Sequence, residues 1–209
     1  MQADIGIIRL DLIFETISGI IALLVTYYAT KAYRLTGQKK LSDLSTGFLV
    51  LSTGMFGRVI GTWFFFVQYG GEGSNLIIAI VTIAYGASRI MAYILFVIST
   101  RPTHTYIDEG SPNTAGISML LMATFLVDPN LEVIAILVLI IVVLQAVLNY
   151  MTTRSKFALY VLTGFFLLLL SHIWMAGVFA NPGLYLLSQG AQLLGFFSLL
   201  VMLIQAGRD

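Results

Sequence analysis

The chain has 209 residues, 58% of them hydrophobic and 10% charged, with a net charge of +1 and a mean hydropathy of +0.94. A soluble domain carries about 25% charged residues, and one globule of this size cannot hide so much surplus apolar surface. The composition therefore places the protein in a lipid bilayer and excludes a soluble enzyme, the near-zero charge excludes a nucleic-acid partner, and the lack of cysteine excludes disulfides and thiolate metal sites.

Crossing a hydrocarbon core about 30 Å thick takes roughly 20 apolar residues in a helix. Seven stretches fit that requirement: 8–30, 44–68, 75–100, 112–127, 131–150, 157–179 and 183–204. Stretches such as 133–148 are apolar at nearly every position, so the alternating pattern of a β-barrel is rejected. The fold expected is an all-α, polytopic bundle of seven transmembrane helices in one domain over 1–209, with no soluble domain.

The breaks between spans carry turn residues: Gly70-Gly71-Glu72-Gly73-Ser74, Asp128-Pro129-Asn130 and Asn181-Pro182-Gly183. Ser111-Pro112 reads as an N-cap followed by proline in the first helical position. The fourth span is short, about 16 residues or about 24 Å. Charge parity supports its crossing. Lys31, Arg34, Lys39 and Lys40 follow the first span, Arg101 the third, Arg154 and Lys156 the fifth and Arg208 the seventh, whereas the other side holds only Arg9. The positive-inside rule then puts the N-terminus outside and the C-terminus in the cytoplasm of a multi-pass cell-membrane protein. Acidic residues Asp4, Asp11 and Glu15 and the missing basic leader argue against a secretory signal.

Ser45-Thr46-Gly47-Phe48 in the second span matches Leu162-Thr163-Gly164-Phe165 in the sixth, and both follow a basic loop. That likeness suits a 3+1+3 arrangement, two parallel three-helix repeats joined by the short fourth span.

Charged residues inside spans cost about 2.5–3.5 kcal/mol each at the bilayer centre and normally face the bundle interior. Arg58 and Arg89 lie near the middle of the second and third spans, and Asp11 and Glu15 lie in the first turns of the first. A rise of about 1.5 Å per residue puts Glu15 about 10 Å and Arg58 about 15 Å below the outer surface, within pairing reach. Arg89 is central and has no acidic residue at matching depth, Glu132 being assigned to the loop before the fifth span. His172, Ser188, Gln189 and Gln192 add polar groups to the outer half. The expected site is an outward-facing polar pocket of Glu15, Arg58, Arg89, His172, Gln189 and Gln192, rimmed by Trp63 and Trp174. The competing reading makes Arg58–Glu15 a structural ion pair, His172 and the glutamines interhelical hydrogen-bonding groups, and the tryptophans interfacial anchors.

Catalytic and cofactor chemistry finds no support. There are two histidines, one of them (His104) in a cytoplasmic loop, so neither a catalytic metal nor bis-histidine haem is expected. No lysine lies within a span to form a retinal Schiff base, and HExxH, GxSxG and P-loop motifs are absent. Ser171-His172, Asn181-Pro182-Gly183-Leu184-Tyr185 and Gln192-Leu193-Leu194-Gly195-Phe196 together resemble the end of some prokaryotic multi-helix membrane sensor modules. The resemblance covers about two of seven spans and carries no site residue over.

Three functions stay open on these residues. The first is a ligand-binding, receptor-like bundle that acts through a membrane protein partner or a second copy. The second is a small transporter or channel, which a continuous polar path from Glu15 to Gln145 and Asn149 would favour. The third is a non-catalytic subunit of a membrane complex, with Arg89 facing a partner. The bilayer is a partner in each case, and a small anionic ligand or lipid would answer the two arginines.

Overall fold

The computed structural model of the chain describes residues 2–68, 75–100, 131–178, 181 and 183–206. These form helices α1 (Gln2–Thr36), α2 (Lys39–Gln68), α3 (Asn75–Thr100), α4 (Leu131–Thr153), α5 (Lys156–Ala176) and α6 (Leu184–Ala206). All six are long and apolar enough to cross a membrane. The expected fourth span, 112–127, lies outside the described residues, which hold six helices.

The helices end where local chemistry stops them. α1 closes on Gly37, whose φ of 68° is the left-handed conformation that glycine adopts without strain, and its N–H bonds the Tyr33 carbonyl at 2.8 Å. α4 closes in the same way on Arg154, with φ of 50° and its N–H 2.8 Å from the Tyr150 carbonyl. Ser155 then caps α5, its hydroxyl accepting from the Ala158 N–H at 3.1 Å.

The helices close into a ring in chain order, with α6 returning to α1. Small residues set the close seams. A Cβ built on Gly164 would lie 3.1 Å from the Gly195 carbonyl oxygen, so α5 and α6 meet backbone to backbone. Consecutive helices run antiparallel, but α3 and α4 run parallel. Gly86 lies against Leu131, Arg89 bonds Glu132 at 3.2 Å, and Thr100 bonds Gln145 at 2.7 Å, a register that advances together on both helices.

Phe48, Phe96, Phe165 and Phe196 fill the ring axis, all fully buried, with ring centroids 4.6 to 5.7 Å apart. Outward positions are apolar instead of polar, including Ile13, Ile20, Leu137, Leu144, Ile173 and Leu194. A ring that is apolar inside and out is built for a lipid surround.

One sequence spacing relates Glu15 to Glu132, Val25 to Val142, Ala29 to Ala146, Gly37 to Arg154, Gly47 to Gly164 and Phe48 to Phe165. Buried and outward positions alternate in near-identical order along α1 and α4, and along α2 and α5. Gly47 abuts Phe96 and the Ala92 carbonyl of α3, as Gly164 abuts Leu199 and the Gly195 carbonyl of α6.

Candidate functional site

The polar residues expected in the outer half gather into two clusters that share one tyrosine. In the first, Arg58 of α2 reaches α1, with Nη2 2.8 Å from Asp11 Oδ2 and Nη1 3.1 Å from Glu15 Oε1. Asp11 and Glu15 are one helical turn apart, so both carboxylates face the same guanidinium. The Tyr185 hydroxyl of α6 donates to the other Asp11 oxygen and closes the ring at that seam. Glu15 is 3% exposed; its Oε2 is ion-paired with Arg58 Nη1 at 3.0 Å, and among the described residues the Ser18 hydroxyl one turn on has no hydrogen-bond partner.

The second cluster crosses the parallel seam. Arg89 donates to both Glu132 oxygens, at 3.4 and 3.2 Å. His172 Nδ1 lies 2.6 Å from Glu132 Oε2, and Nε2 lies 2.6 Å from the Tyr93 hydroxyl and 2.9 Å from Arg89 Nη2. One tautomer satisfies the carboxylate and the tyrosine: Nδ1–H donates to Glu132, and the single lone pair of Nε2 accepts from Tyr93, while Arg89 Nη2 packs against the ring, 2.6 Å from Nδ1 and 2.9 Å from Nε2. This corrects the expectation that Arg89 has no acidic partner. Glu132 is not in a loop but in the first turn of α4, where the helix dipole favours a carboxylate. Gly86 explains the reach. A Cβ there would fall 2.2 Å from Leu131 Cδ1, so the missing side chain lets Leu131 at the start of α4 lie against α3 one turn from Arg89.

Tyr85 joins the clusters. Its buried ring has the Arg58 and Arg89 guanidinium carbons each 5.1 Å from its centroid, so its faces serve two cations at once. A cavity of about 300 Å³ opens beside them, lined by Arg58, Thr82, Tyr85, Arg89, Glu132 and Met175, among others.

Of the six residues expected in the pocket, Glu15, Arg58, Arg89 and His172 enter these clusters. Gln189 is buried and Gln192 half-buried on α6, and among the described residues neither is a hydrogen-bond partner of either arginine. Trp63 is exposed and Trp174 half-buried, and among the described residues neither lines this cavity. Asp11, Tyr85, Tyr93, Glu132 and Tyr185 complete the site. The signal for Glu132 was its spacing from Glu15, the same that relates the two Gly-Phe pairs.

The polar path ends at the phenylalanine layer, where the Tyr93 and Phe96 rings lie 6.0 Å apart. Beyond it, a second cavity of about 250 Å³ opens at the other end of the ring, among Gln38, Lys40, Ser99, Thr100, Asn149 and Ser155. Comparison with known protein families, curated proteins and solved structures found no match.

Proposed function

We propose that the protein is a seven-helix cell-membrane bundle that binds a small ligand in its outer polar pocket and acts through a membrane partner. The observation that carries this reading is the cavity of about 300 Å³ beside two charge-paired arginines. A purely structural ion pair gains nothing from adjoining space, whereas a binding site needs a concave, mostly apolar pocket with a few fixed polar groups. Three carboxylates (Asp11, Glu15 and Glu132) face two guanidiniums, so an uncharged or zwitterionic ligand suits the pocket better than the small anion that the arginines alone suggest. The residues serve binding, not catalysis.

The parallel register of α3 and α4 supports the seventh span. The chain leaves α3 at one end of the ring and enters α4 at the other, a register that a further crossing between them would explain. With that crossing, the Lys/Arg parity puts the N-terminus outside, and the ring becomes two three-helix repeats joined by one helix. A reporter inserted at Gly71 is then external and one fused after Asp209 cytoplasmic; both on one side would refute the topology.

The binding test uses Thr82, an exposed residue on the cavity wall. Thr82→Phe fills the space and leaves both ion clusters intact. Among amino acids, amines, polyols and short carboxylic acids, at least one uncharged or zwitterionic compound should raise the Tm of the purified protein but not of the variant. Equal shifts in both proteins would place binding elsewhere and contradict the reading.

Transport is the second reading, and the inner cavity favours it, since the ring then has a vestibule at each end. The four phenylalanines between them weigh toward binding. The subunit reading loses its motive, because Arg89 is neutralised within its own chain.

A further inference from the structure

A third cavity, of about 480 Å³, lies on the outer surface of the ring, in the groove between α2 and α3. Its walls include Leu49, Thr53, Gly57 and Ala84, all exposed on the face opposite the phenylalanine layer. In a bilayer this face meets lipid chains. From Leu49 to Arg58 the groove follows α2 for about 13 Å at 1.5 Å per residue. Most of that length is apolar, but toward one end the wall includes Arg58 and Tyr85, which also line the inner polar cavity, with Val81 one turn further along α3. Two side chains therefore separate a membrane-facing groove from the pocket.

The chemistry at that end selects the occupant. A guanidinium carries five N–H donors, and among the described residues Arg58 commits Nη1 to Glu15 and Nη2 to Asp11. Its remaining N–H groups call for an acceptor oxygen. An anionic head would meet Asp11 and Glu15, which already outnumber Arg58, and an ammonium head would meet the guanidinium itself. An uncharged hydroxyl or carbonyl avoids both conflicts. We propose that the groove between α2 and α3 is a lateral entrance from the bilayer, and that it takes an amphiphile with one apolar chain and an uncharged oxygen head group that hydrogen-bonds Arg58. The proposal rests on the pocket reading above and names its ligand class. In the proposed topology the polar end faces the outer leaflet, the direction in which such a lipid would present its head.

Gly57 supplies the test. A Cβ added there meets nothing within 4 Å, so Gly57→Leu fills the groove without straining the fold or removing a member of the ion cluster. Wild-type and variant full-length proteins are reconstituted in phosphatidylcholine vesicles and irradiated with diazirine-bearing hexadecanol, hexadecanoic acid, hexadecylamine or phosphatidylcholine, and labelled peptides are mapped by mass spectrometry. Hexadecanol should label segments 49–58 and 81–88 in preference to the other three probes. Gly57→Leu should cut that labelling about tenfold, the loss expected when about two methylenes of chain lose their site. Preference for the acid or the amine would overturn the head-group assignment. Equal labelling by phosphatidylcholine, unchanged in Gly57→Leu, would reduce the groove to ordinary lipid contact. Absence of label from both segments would mean that another protein segment or a second copy covers it. If any of these results appears while Thr82→Phe still abolishes a ligand-induced Tm shift, the lateral entrance fails and the pocket stands.

Discussion

The two arginine clusters solve the same problem with different parts of the chain. Arg58 is held within the α1–α2 hairpin by two carboxylates on one helical face, and its side chain is 27% exposed. Arg89 is 15% exposed and depends on residues from two further helices, Glu132 and His172, with Tyr93 completing the network. The first arrangement needs only that neighbouring helices fold as a hairpin. The second needs α3 and α4, which are not joined as a hairpin, to lie parallel. Local pairing thus secures one cation, and global topology secures the other.

Removing Arg89 should have the largest effect. Arg89→Met leaves Glu132 without its cation in the bundle, and thermal denaturation in detergent should show a loss of about 3–5 kcal/mol, partly restored by adding Glu132→Gln. A double variant no more stable than Arg89→Met would show that the pair is not coupled. Arg58→Met should cost less, because its site is more open, and its cycle with Glu15→Gln should give a coupling of about 1–3 kcal/mol. Strict additivity would mean that the two side chains do not interact. If both clusters share one aromatic partner, Tyr85→Leu should cost about 2 kcal/mol from two cation–π contacts, and Tyr85→Phe, which keeps the ring, should restore most of it. A Tyr85→Phe variant as unstable as Tyr85→Leu would move the role from the ring to the hydroxyl. Tyr93→Phe is the mildest change, about 1 kcal/mol, because His172 Nε2 keeps Arg89 as a neighbour when the hydroxyl is lost.

Much of the first cluster was legible in the sequence. Helical rise alone matched Glu15 to Arg58, because both lie in consecutive antiparallel spans joined by one short loop, so their depths can be counted on one scale. Asp11 was not among the expected pocket residues, although it lies one turn from Glu15 on the same helical face. The second cluster was not legible by the same route. Glu132 sits beside the Asp128-Pro129-Asn130 turn, which reads as loop, and depth counting cannot tell which helix lies next to α3. The missing information was carried by Gly86, whose absent side chain admits Leu131, and by the shared spacing of Glu15 to Glu132 and Gly47 to Gly164. The glutamines of α6 show the opposite error: their depth was suitable, but they lie on a part of the ring that does not meet the arginines.

The parallel seam between α3 and α4 is what brings Glu132 to Arg89, and a chain without cysteine allows it to be probed directly. Thr100 and Gln145 share a hydrogen bond at 2.7 Å, whereas an antiparallel seam would bring Thr100 toward the Glu132 end of α4. Two double variants in native membranes, Thr100→Cys with Gln145→Cys and Thr100→Cys with Glu132→Cys, are treated with a short thiol cross-linker and read by mass spectrometry. The parallel seam predicts an intramolecular cross-link in the first pair and none in the second; a cross-link in the second pair alone would contradict it.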